Sequence, residues 1–215
     1  MSILKADIPD RPFHLELPPV ETGGCSILMC GSGRSGKTTA LKYIIDTYMK
    51  KHCGVIFSNS SKAQAYREMK YPLIPLSNAY IPELVNAAYR INKETKNHYP
   101  WLFVLDDVPL AKNDKELMKT TTIYRNSGIS LIHCVQSPNM VSPTCRSNYT
   151  FFMLFHNNSS EQAENACKFF LRGRLPSSWK MNDKVAWLQR MTEDHHMILI
   201  NNWTGEIFRT KIDLE

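Results

Sequence analysis

The sequence lacks any long hydrophobic run. A helix that crosses a bilayer needs about 20 consecutive apolar residues, and every apolar run of this 215-residue chain is far shorter. The first residues also lack the apolar core of a signal peptide, because Lys5, Asp7, Asp10 and Arg11 interrupt them. We therefore expect no membrane segment and no secretion, so that the protein stays in the compartment where it is made.

The cysteines lack the Cys-x-x-Cys spacing of paired thiol sites. The six are Cys25, Cys30, Cys53, Cys134, Cys145 and Cys167. Several lie in apolar runs, where a small buried thiol fits well. We predict free thiols in a reducing compartment.

Acidic residues are fewer than basic ones. The chain has 20 Asp and Glu against 26 Lys and Arg, which gives a net charge of +6 and a pI near 9.0. This charge suits a phosphate-rich partner, because neutralising phosphates releases counterions and gives affinity without sequence readout. Charge alone does not identify the partner, since many basic domains bind no nucleic acid.

Four prolines fall within the first 24 residues, at positions 9, 12, 18 and 19. Their fixed φ and missing N–H argue against a helix or a central strand. We predict a proline-rich N-terminal arm over residues 1–24. Residues 25–215 have the usual length of one domain, so we predict a single domain there.

Apolar runs and amphipathic segments alternate along this domain. Predicted buried strands cover residues 25–30, 54–58, 101–105, 129–135 and 149–155. One predicted helix runs from residue 38 to about 54, and a second covers 81–89. A polar helical stretch follows residue 105 and ends at about 127, and a further helix begins after Ser159. Residues 59–79 are predicted to be mostly loop or short helix. Residues 197–200 and 206–209 predict a C-terminal β-hairpin. The alternation predicts an α/β three-layer sandwich, with a mainly parallel central sheet and helices on both faces.

Residues 31–38 read Gly-Ser-Gly-Arg-Ser-Gly-Lys-Thr, a Walker A phosphate loop (P-loop) between a strand and a helix. The backbone N–H groups of such a loop wrap a triphosphate. A chance glycine turn is the alternative, which the flanking strand and helix disfavour. The predicted nucleotide-binding residues are Gly31, Ser32, Gly33, Arg34, Ser35, Gly36, Lys37, Thr38 and Thr39. With ATP and Mg²⁺ as cofactors, Lys37 reaches the β- and γ-phosphates and the Thr38 hydroxyl binds the metal.

The strand at residues 101–105 ends in two carboxylates, as a Walker B strand does. Asp106 is the predicted Mg²⁺ ligand. Asp107 is the candidate general base that polarises the attacking water, although it could instead only cap the next turn. Gln136 ends the following predicted strand and so lies at the same edge of a parallel sheet. It could contact the γ-phosphate or the water, or it could only bond loop backbone.

The order of these motifs, followed by Tyr124-Arg125, Gly128-Ile129 and a strand ending in Gln136-Ser-Pro138, resembles the FtsK/HerA superfamily of DNA-pumping ATPases. The short chain and the Asp106–Asp107 pair resemble the genome-packaging ATPases of poxviruses, other large DNA viruses and tailless icosahedral viruses. The resemblance spans residues 25–155, with a compatible C-terminal hairpin, and the residues that distinguish it are Asp107, Arg125, Gly128, Gln136 and Asn148.

This resemblance implies a homo-oligomeric ring of five or six subunits that threads double-stranded DNA into a preformed capsid by ATP hydrolysis. It implies capsid or vertex proteins as partners and a location in the virion or the host-cell cytoplasm. It also implies an arginine from a neighbouring subunit in each site: Arg125 first, with Arg146 or Arg172 behind it. Arg125 could instead be a solvated cation at a helix end. Candidate DNA-phosphate contacts are Lys112, Lys115, Lys119, Arg172, Arg174 and Lys180.

Two other functions use the same loop. A nucleotide or nucleoside kinase would transfer the γ-phosphate to a bound acceptor, but it needs an arginine-rich lid that the sequence does not plainly contain. An ATP-dependent switch or assembly protein would bind tightly and hydrolyse slowly. Measurement of turnover separates these functions from a DNA motor.

Overall fold

Eight strands of the computed structural model pair into one sheet. The structure describes residues 8–19, 21, 23–58, 63–75, 80–96, 98–110, 115–122 and 124–213. The strands are Ser26–Cys30 (β1), Cys53–Ser58 (β2), Leu73–Ile74 (β3), Trp101–Asp106 (β4), Ile129–Val135 (β5), Phe151–Leu154 (β6), Met197–Asn201 (β7) and Ile207–Thr210 (β8). Their order across the sheet is β3-β2-β4-β5-β1-β6-β7-β8. The six strands from β3 to β6 run parallel, whereas β7 and β8 form the predicted antiparallel C-terminal hairpin.

Helices cover both faces of this sheet. They are Lys37–Tyr48 (α1), Ala63–Arg67 (α2), Tyr80–Thr95 (α3), Lys115–Thr122 (α4), Pro143–Arg146 (α5), Ser160–Phe170 (α6) and Met181–Met191 (α7), with 3₁₀ turns at Tyr124–Ser127 and Pro138–Met140. The apolar residues of α1 and α2 pack on one face, and those of α3, α5, α6 and α7 pack on the other. The predicted α/β three-layer sandwich with a mainly parallel sheet is confirmed. None of the helices in the described ranges is long and apolar enough to cross a membrane.

Strand β1 shows why the middle of the sheet is uniformly apolar. It pairs with β5 on one side and β6 on the other, and all five of its residues are buried. Leu28 and Cys30 join the core on one face, whereas Ile27 and Met29 join the core on the other. A strand that is covered on both faces needs a continuous apolar run, and its period of two divides the run between two cores.

Four local predictions differ from the structure. Helix α1 ends at Tyr48, several residues before Gly54, because Met49 leaves the helical conformation with φ −113° and ψ 24°. The region up to residue 79 contributes the short strand β3, which sequence patterning missed. The polar helical stretch before residue 127 is α4 followed by a separate 3₁₀ turn. Helix α7 was not predicted either.

The described part of the predicted arm, residues 8–19, lies against the domain. The N–H of Arg11 donates to the Arg209 carbonyl at 2.9 Å, and the N–H of Arg209 donates to the Pro9 carbonyl at 2.9 Å. Leu15 is 2% exposed and, with Phe13, belongs to the core that α1 covers. This segment therefore shields the hairpin edge and the α1 face.

A buried histidine holds the turn that follows β4. His133 on β5 is 0% exposed; its Nε2 lies 2.6 Å from the Val108 carbonyl and its Nδ1 lies 2.8 Å from the Tyr149 hydroxyl. A carbonyl can only accept, so Nε2 carries the proton, and the neutral ring accepts from the tyrosine through Nδ1. Burial lowers the pKa of His133 from 6.5 to about 4, against the opposing effects of the Val108 hydrogen bond and the Asp107 charge.

The free energy of unfolding should fall as the pH drops from about 6.5 to about 4. Over that range the unfolded histidine binds a proton, whereas the folded His133, with its pKa near 4, does not. Urea unfolding of wild type and His133→Gln at several pH values measures the effect. The variant should be less stable at pH 7 and should lose stability less steeply on acidification. The variant should keep part of this pH dependence, because it still contains His52, whose pKa burial also lowers to about 4. Equal slopes in both proteins would contradict the assignment of a neutral His133.

Gly24 is required by a close approach of two backbones. A Cβ at Gly24 would lie 2.0 Å from the Ile129 carbonyl oxygen, whereas a Cβ at Gly33 would meet nothing within 4 Å. Gly24→Ala should therefore lower the free energy of unfolding by about 2 to 3 kcal/mol, and Gly33→Ala should change it little. Thermal unfolding of the two variants makes the comparison. A Gly24→Ala protein as stable as Gly33→Ala would show that β5 moves away without cost.

Candidate active site

The glycine-rich loop connects β1 to α1 and is anchored at two neighbouring strands. The Gly31 N–H donates to the Val135 carbonyl at 3.2 Å, and the Ser32 N–H donates to the His156 carbonyl at 3.0 Å. A Cβ on Gly31 would lie 2.6 Å from the Cβ of Phe155, so only glycine allows this approach. The C-terminal ends of β5, β1 and β6 therefore position the start of the loop.

The second half of the loop leads into α1 through a left-handed residue. Gly36 has φ 100° at the N-cap of α1, a conformation that favours glycine. Lys37 is 5% exposed, and its Nζ donates to the carbonyls of Gly31 at 2.5 Å and Ser32 at 2.8 Å. The ammonium group thus spans the loop at the N-terminus of a helix, a suitable place for anionic groups.

Helix α6 braces the loop from the side. The Ser32 hydroxyl donates to Gln162 Oε1 at 3.3 Å and accepts from the Asn158 N–H at 2.8 Å. In the sequence, Ser159 and Gln162 have the spacing of a capping box, which explains no more than the start of a helix. The cap is present, since Ser159 accepts from the Gln162 N–H, but the Gln162 side chain contacts the loop. This contact spans 130 positions, and no local pattern could predict it.

Asp106 lies at the end of β4, next to the end of β2. It is 3% exposed, and its Oδ2 accepts from the Ser58 hydroxyl at 2.7 Å. The Tyr66 hydroxyl of α2 lies near both Asp106 and the Thr38 side chain, although burial is the larger cause of its raised pKa. This buried hydroxyl forms no hydrogen bond with either group or with any other described residue. Tyr66 lies between the two predicted metal ligands, and the sequence pattern did not indicate this position.

Asp107 and Gln136 meet directly at the same edge. Gln136 Nε2 donates to Asp107 Oδ2 at 2.9 Å, and the Asp107 N–H donates to the Cys134 carbonyl at 2.9 Å. Asp107 has φ 55°, and its Oδ1 is buried with no partner among the described residues. Within the described residues the aspartate side chain caps no turn, and the Gln136 amide donates to its carboxylate.

The fit of a divalent cation follows from this donor set. The described residues contain no group of three or more His, Cys, Asp or Glu side chains that could enclose a metal. Mg²⁺ needs no such cage, since it commonly binds one or two protein oxygens, substrate phosphates and water. A hydroxyl and a carboxylate beside a phosphate loop fit that requirement, so Thr38 and Asp106 are the residues that would hold it.

Other predicted residues lie elsewhere. Arg125 belongs to the 3₁₀ turn before β5, although its side chain is outside the described part of the structure. Gly128 follows this turn. They lie at the edge of the sheet where β5 begins. The seven residues of β5, at about 3.3 Å each, separate this remote edge from Gln136 by about 23 Å. Asn148 precedes β6 at the same remote edge, where its amide donates to the Thr144 carbonyl at 2.7 Å. None of these three lies near the phosphate loop of its own chain.

The remaining basic candidates divide into structural and exposed residues. Arg146 donates to the carbonyls of Pro138 and Val141, both at 2.9 Å, and stacks over Phe169, so it stabilises the fold of its own chain. Arg174 donates to the Gly205 carbonyl and to Asn202. The exposed ones are Lys115, Arg172 and Lys180. Lys119 is half-buried, and Lys112 lies outside the described residues.

Other proteins with solved structures share this architecture. The genome packaging NTPase B204 from Sulfolobus turreted icosahedral virus 2, in complex with AMPPCP, superposes with a TM-score of 0.65 at 13% identity, covering 88% of this chain and 98% of that one. EssC (ATPases 2 and 3) from Geobacillus thermodenitrificans gives a TM-score of 0.61 at 14% identity, over 88% of this chain and 39% of that one. At these identities the likeness shows the fold.

Proteins that are similar to this chain in sequence come from viruses. Uncharacterized protein 015R of Frog virus 3 (isolate Goorha) is 25% identical over 150 residues, which are 65% of this chain and 46% of that protein; the chain thus spans about half the length of this relative. The family model described as Poxvirus A32 protein matches residues 24–202. The resemblance to viral packaging ATPases is confirmed by these matches. Because this match covers well over half of the chain, from Gly24 to Asn202 just beyond β7, the chain belongs to the family of the Poxvirus A32 protein.

Proposed function

We propose that this protein hydrolyses ATP to ADP and phosphate and uses the energy to move double-stranded DNA, packaging a viral genome into a preformed capsid. The observation that carries the proposal is the meeting of four elements at one sheet edge: the phosphate loop, Asp106, Asp107 and Gln136. Membership of the Poxvirus A32 protein family and the fold of a genome packaging NTPase support it.

The proposed chemistry assigns one task to each group. The N–H groups of residues 31–38 and the Lys37 ammonium bind the phosphates and stabilise the charge that develops on them. A Mg²⁺ ion, when bound, neutralises charge on the β- and γ-phosphate oxygens. Thr38 and Asp106 would hold it, with Ser58 fixing the Asp106 carboxylate.

Asp107 and Gln136 are the proposed pair that activates water. Asp107 accepts a proton from the water as its oxygen bonds to the γ-phosphorus, while the bond from that phosphorus to the β–γ bridging oxygen breaks and ADP leaves with the electron pair. Gln136 donates to Asp107 Oδ2 and so orients the carboxylate. The second oxygen, Oδ1, accepts no hydrogen bond from a described residue and is the candidate proton acceptor.

The proposed DNA contacts are to phosphates, because a packaging motor must move any sequence. The net charge of +6 and the exposed residues Lys115, Arg172 and Lys180 supply cations for this purpose. The assembly we propose is a ring of five or six copies that contacts capsid or vertex proteins, in the virion or at the site of virus assembly in the host-cell cytoplasm. Arg125 is the proposed arginine that one copy contributes to the next copy's site.

ATP turnover by the purified chain should rise when long double-stranded DNA is added, and the rise should fade as salt increases, because phosphate contacts release counterions. Lys37→Ala should abolish turnover. Asp107→Asn should still bind ATP but lose turnover by about 100-fold, the lower bound for a general base. Asparagine tolerates the positive φ of this position, so the backbone should remain in place. Phosphate release, with nucleotide binding measured in parallel, gives all three results.

The contrary outcomes separate the alternatives. Tight ATP binding with slow, DNA-independent turnover would indicate an ATP-dependent switch and would overturn the motor. Normal turnover by Asp107→Asn would remove the aspartate from the role of base.

Arg125 should act in a neighbouring copy, since the long β5 separates it from its own phosphate loop. Arg125→Ala and Asp107→Asn proteins should each be inactive, and a mixture of the two should regain part of the activity. In the mixture, some sites combine an intact Asp107 from one copy with an intact Arg125 from the next. ATPase assays of premixed subunits test this, with each inactive variant alone at the same total subunit concentration as the control. A mixture of the two inactive variants that stays inactive would contradict the role in trans.

A further inference from the structure

A cleft borders the phosphate loop, and its walls beyond the loop and α1 have no role in the chemistry described above. It has a volume of about 550 Å³ and borders residues 34–40, from the second half of the loop into the first turn of α1. This volume lies within the range of about 300 to 1,000 Å³ that small-molecule sites occupy. Its other walls come from three parts remote in sequence: Phe155 after β6, the turn between α7 and β7 with Met197 at the start of β7, and residues 211–213 after β8.

The cleft combines apolar walls with a polar rim. Phe155, Met197 and Ile212 line it, and all three belong to or pack against the core on the α1 face of the sheet. His195 and residues 211 and 213, a lysine and an aspartate, are exposed lining residues. Apolar walls with a few convergent polar groups are typical of a site for a flat, polar-edged organic molecule.

The backbone conformation of the α7–β7 turn aims a side chain at this cleft. Asp194 and His195 have φ of 52° and 61°, and two consecutive non-glycine residues in the left-handed region cost free energy that the surroundings must offset. Hydrogen bonds hold both sides of the turn: Thr192 bonds the last turn of α7, and the His196 N–H donates to the Glu193 carbonyl at 3.0 Å. The result is an imidazole beside the loop, since a Cβ on Gly36 would lie 3.8 Å from His195 Nδ1.

We propose that this cleft binds the base and ribose of the nucleotide, with the His195 ring stacked on the base and Asp213 accepting a hydrogen bond from a ribose hydroxyl or a base amino group. The inference rests on the proposed function, in which the loop binds the triphosphate. Phosphates held along the loop and the N-terminus of α1 place the attached nucleoside next to residues 36–40, which form one wall of the cleft. A carboxylate repels phosphates, so Asp213 suits the uncharged part of the ligand.

Two ligands separate the cleft from the loop. Inorganic tripolyphosphate contacts only the loop, whereas ATP contacts both, and calorimetric titration of the full chain measures each affinity. His195→Ala should weaken ATP binding by about 10-fold, the upper end for an aromatic pair, and should leave tripolyphosphate binding unchanged. Asp213→Ala, at an exposed position beyond β8 where folding is not at risk, should weaken ATP binding and leave or improve tripolyphosphate binding. His196→Ala is the matched control, because it removes the same side chain from the same turn without lining the cleft.

Each contrary result has a distinct meaning. Equal loss of both ligands in His195→Ala, or unchanged ATP affinity in both His195→Ala and Asp213→Ala, would overturn the assignment of the cleft while leaving the ATPase proposal intact. Equal affinity of the wild type for ATP and tripolyphosphate would do the same. If the wild-type chain is folded, as the Lys37→Ala variant is, and still binds neither ligand, the proposed function and this inference both fail.

Discussion

The contact between Gly31 and Phe155 is the constraint on which the site depends. Where β1 ends, the chain passes so close to the residue after β6 that a Cβ would lie 2.6 Å from another Cβ. Hydrogen bonds from the N–H groups of Gly31 and Ser32 to the ends of both neighbouring strands fix the loop at that point. A loop held in this way has little freedom to rearrange, so its N–H groups are directed in advance and binding costs less ordering entropy.

The strained backbone of the molecule is concentrated around this loop. Of the five described non-glycine residues with positive φ, Arg34, Asp107, Asp194 and His195 border the proposed site, and Lys96 alone lies elsewhere. Strain of this kind persists only where the surroundings determine the conformation. At Asp107 the surroundings are identifiable: the Cys134 carbonyl holds its N–H, and the buried His133 holds the next carbonyl. A neutral histidine in the core thus fixes the direction of a carboxylate at the surface of the sheet.

The sequence predicted the central elements because their causes are local. Strands β1, β4 and β5 are buried on both faces and so read as apolar runs, and the loop needs glycines at fixed offsets. Contacts remote in sequence were not accessible to such patterns. Tyr66 looks like any tyrosine of a short helix until folding places it between Thr38 and Asp106. His195 lies in a polar turn, and Gln162 looks like the second half of a helix cap. Strand β3 has only two residues, too few to show a period.

The two ends of β5 explain why a single subunit is an incomplete motor in the proposed function. Gln136 at one end contacts Asp107, whereas Arg125 precedes the other end. A fully extended strand that is buried on both faces cannot shorten, so the two residues would stay apart in one copy at any step of the proposed cycle. A ring resolves this, because the remote edge of one copy can face the phosphate loop of the next. The glutamine would then respond to the nucleotide of its own subunit and the arginine to that of its neighbour. The rigid strand between them would pass a displacement from one site to the other, which is the coupling that ordered hydrolysis around a ring requires.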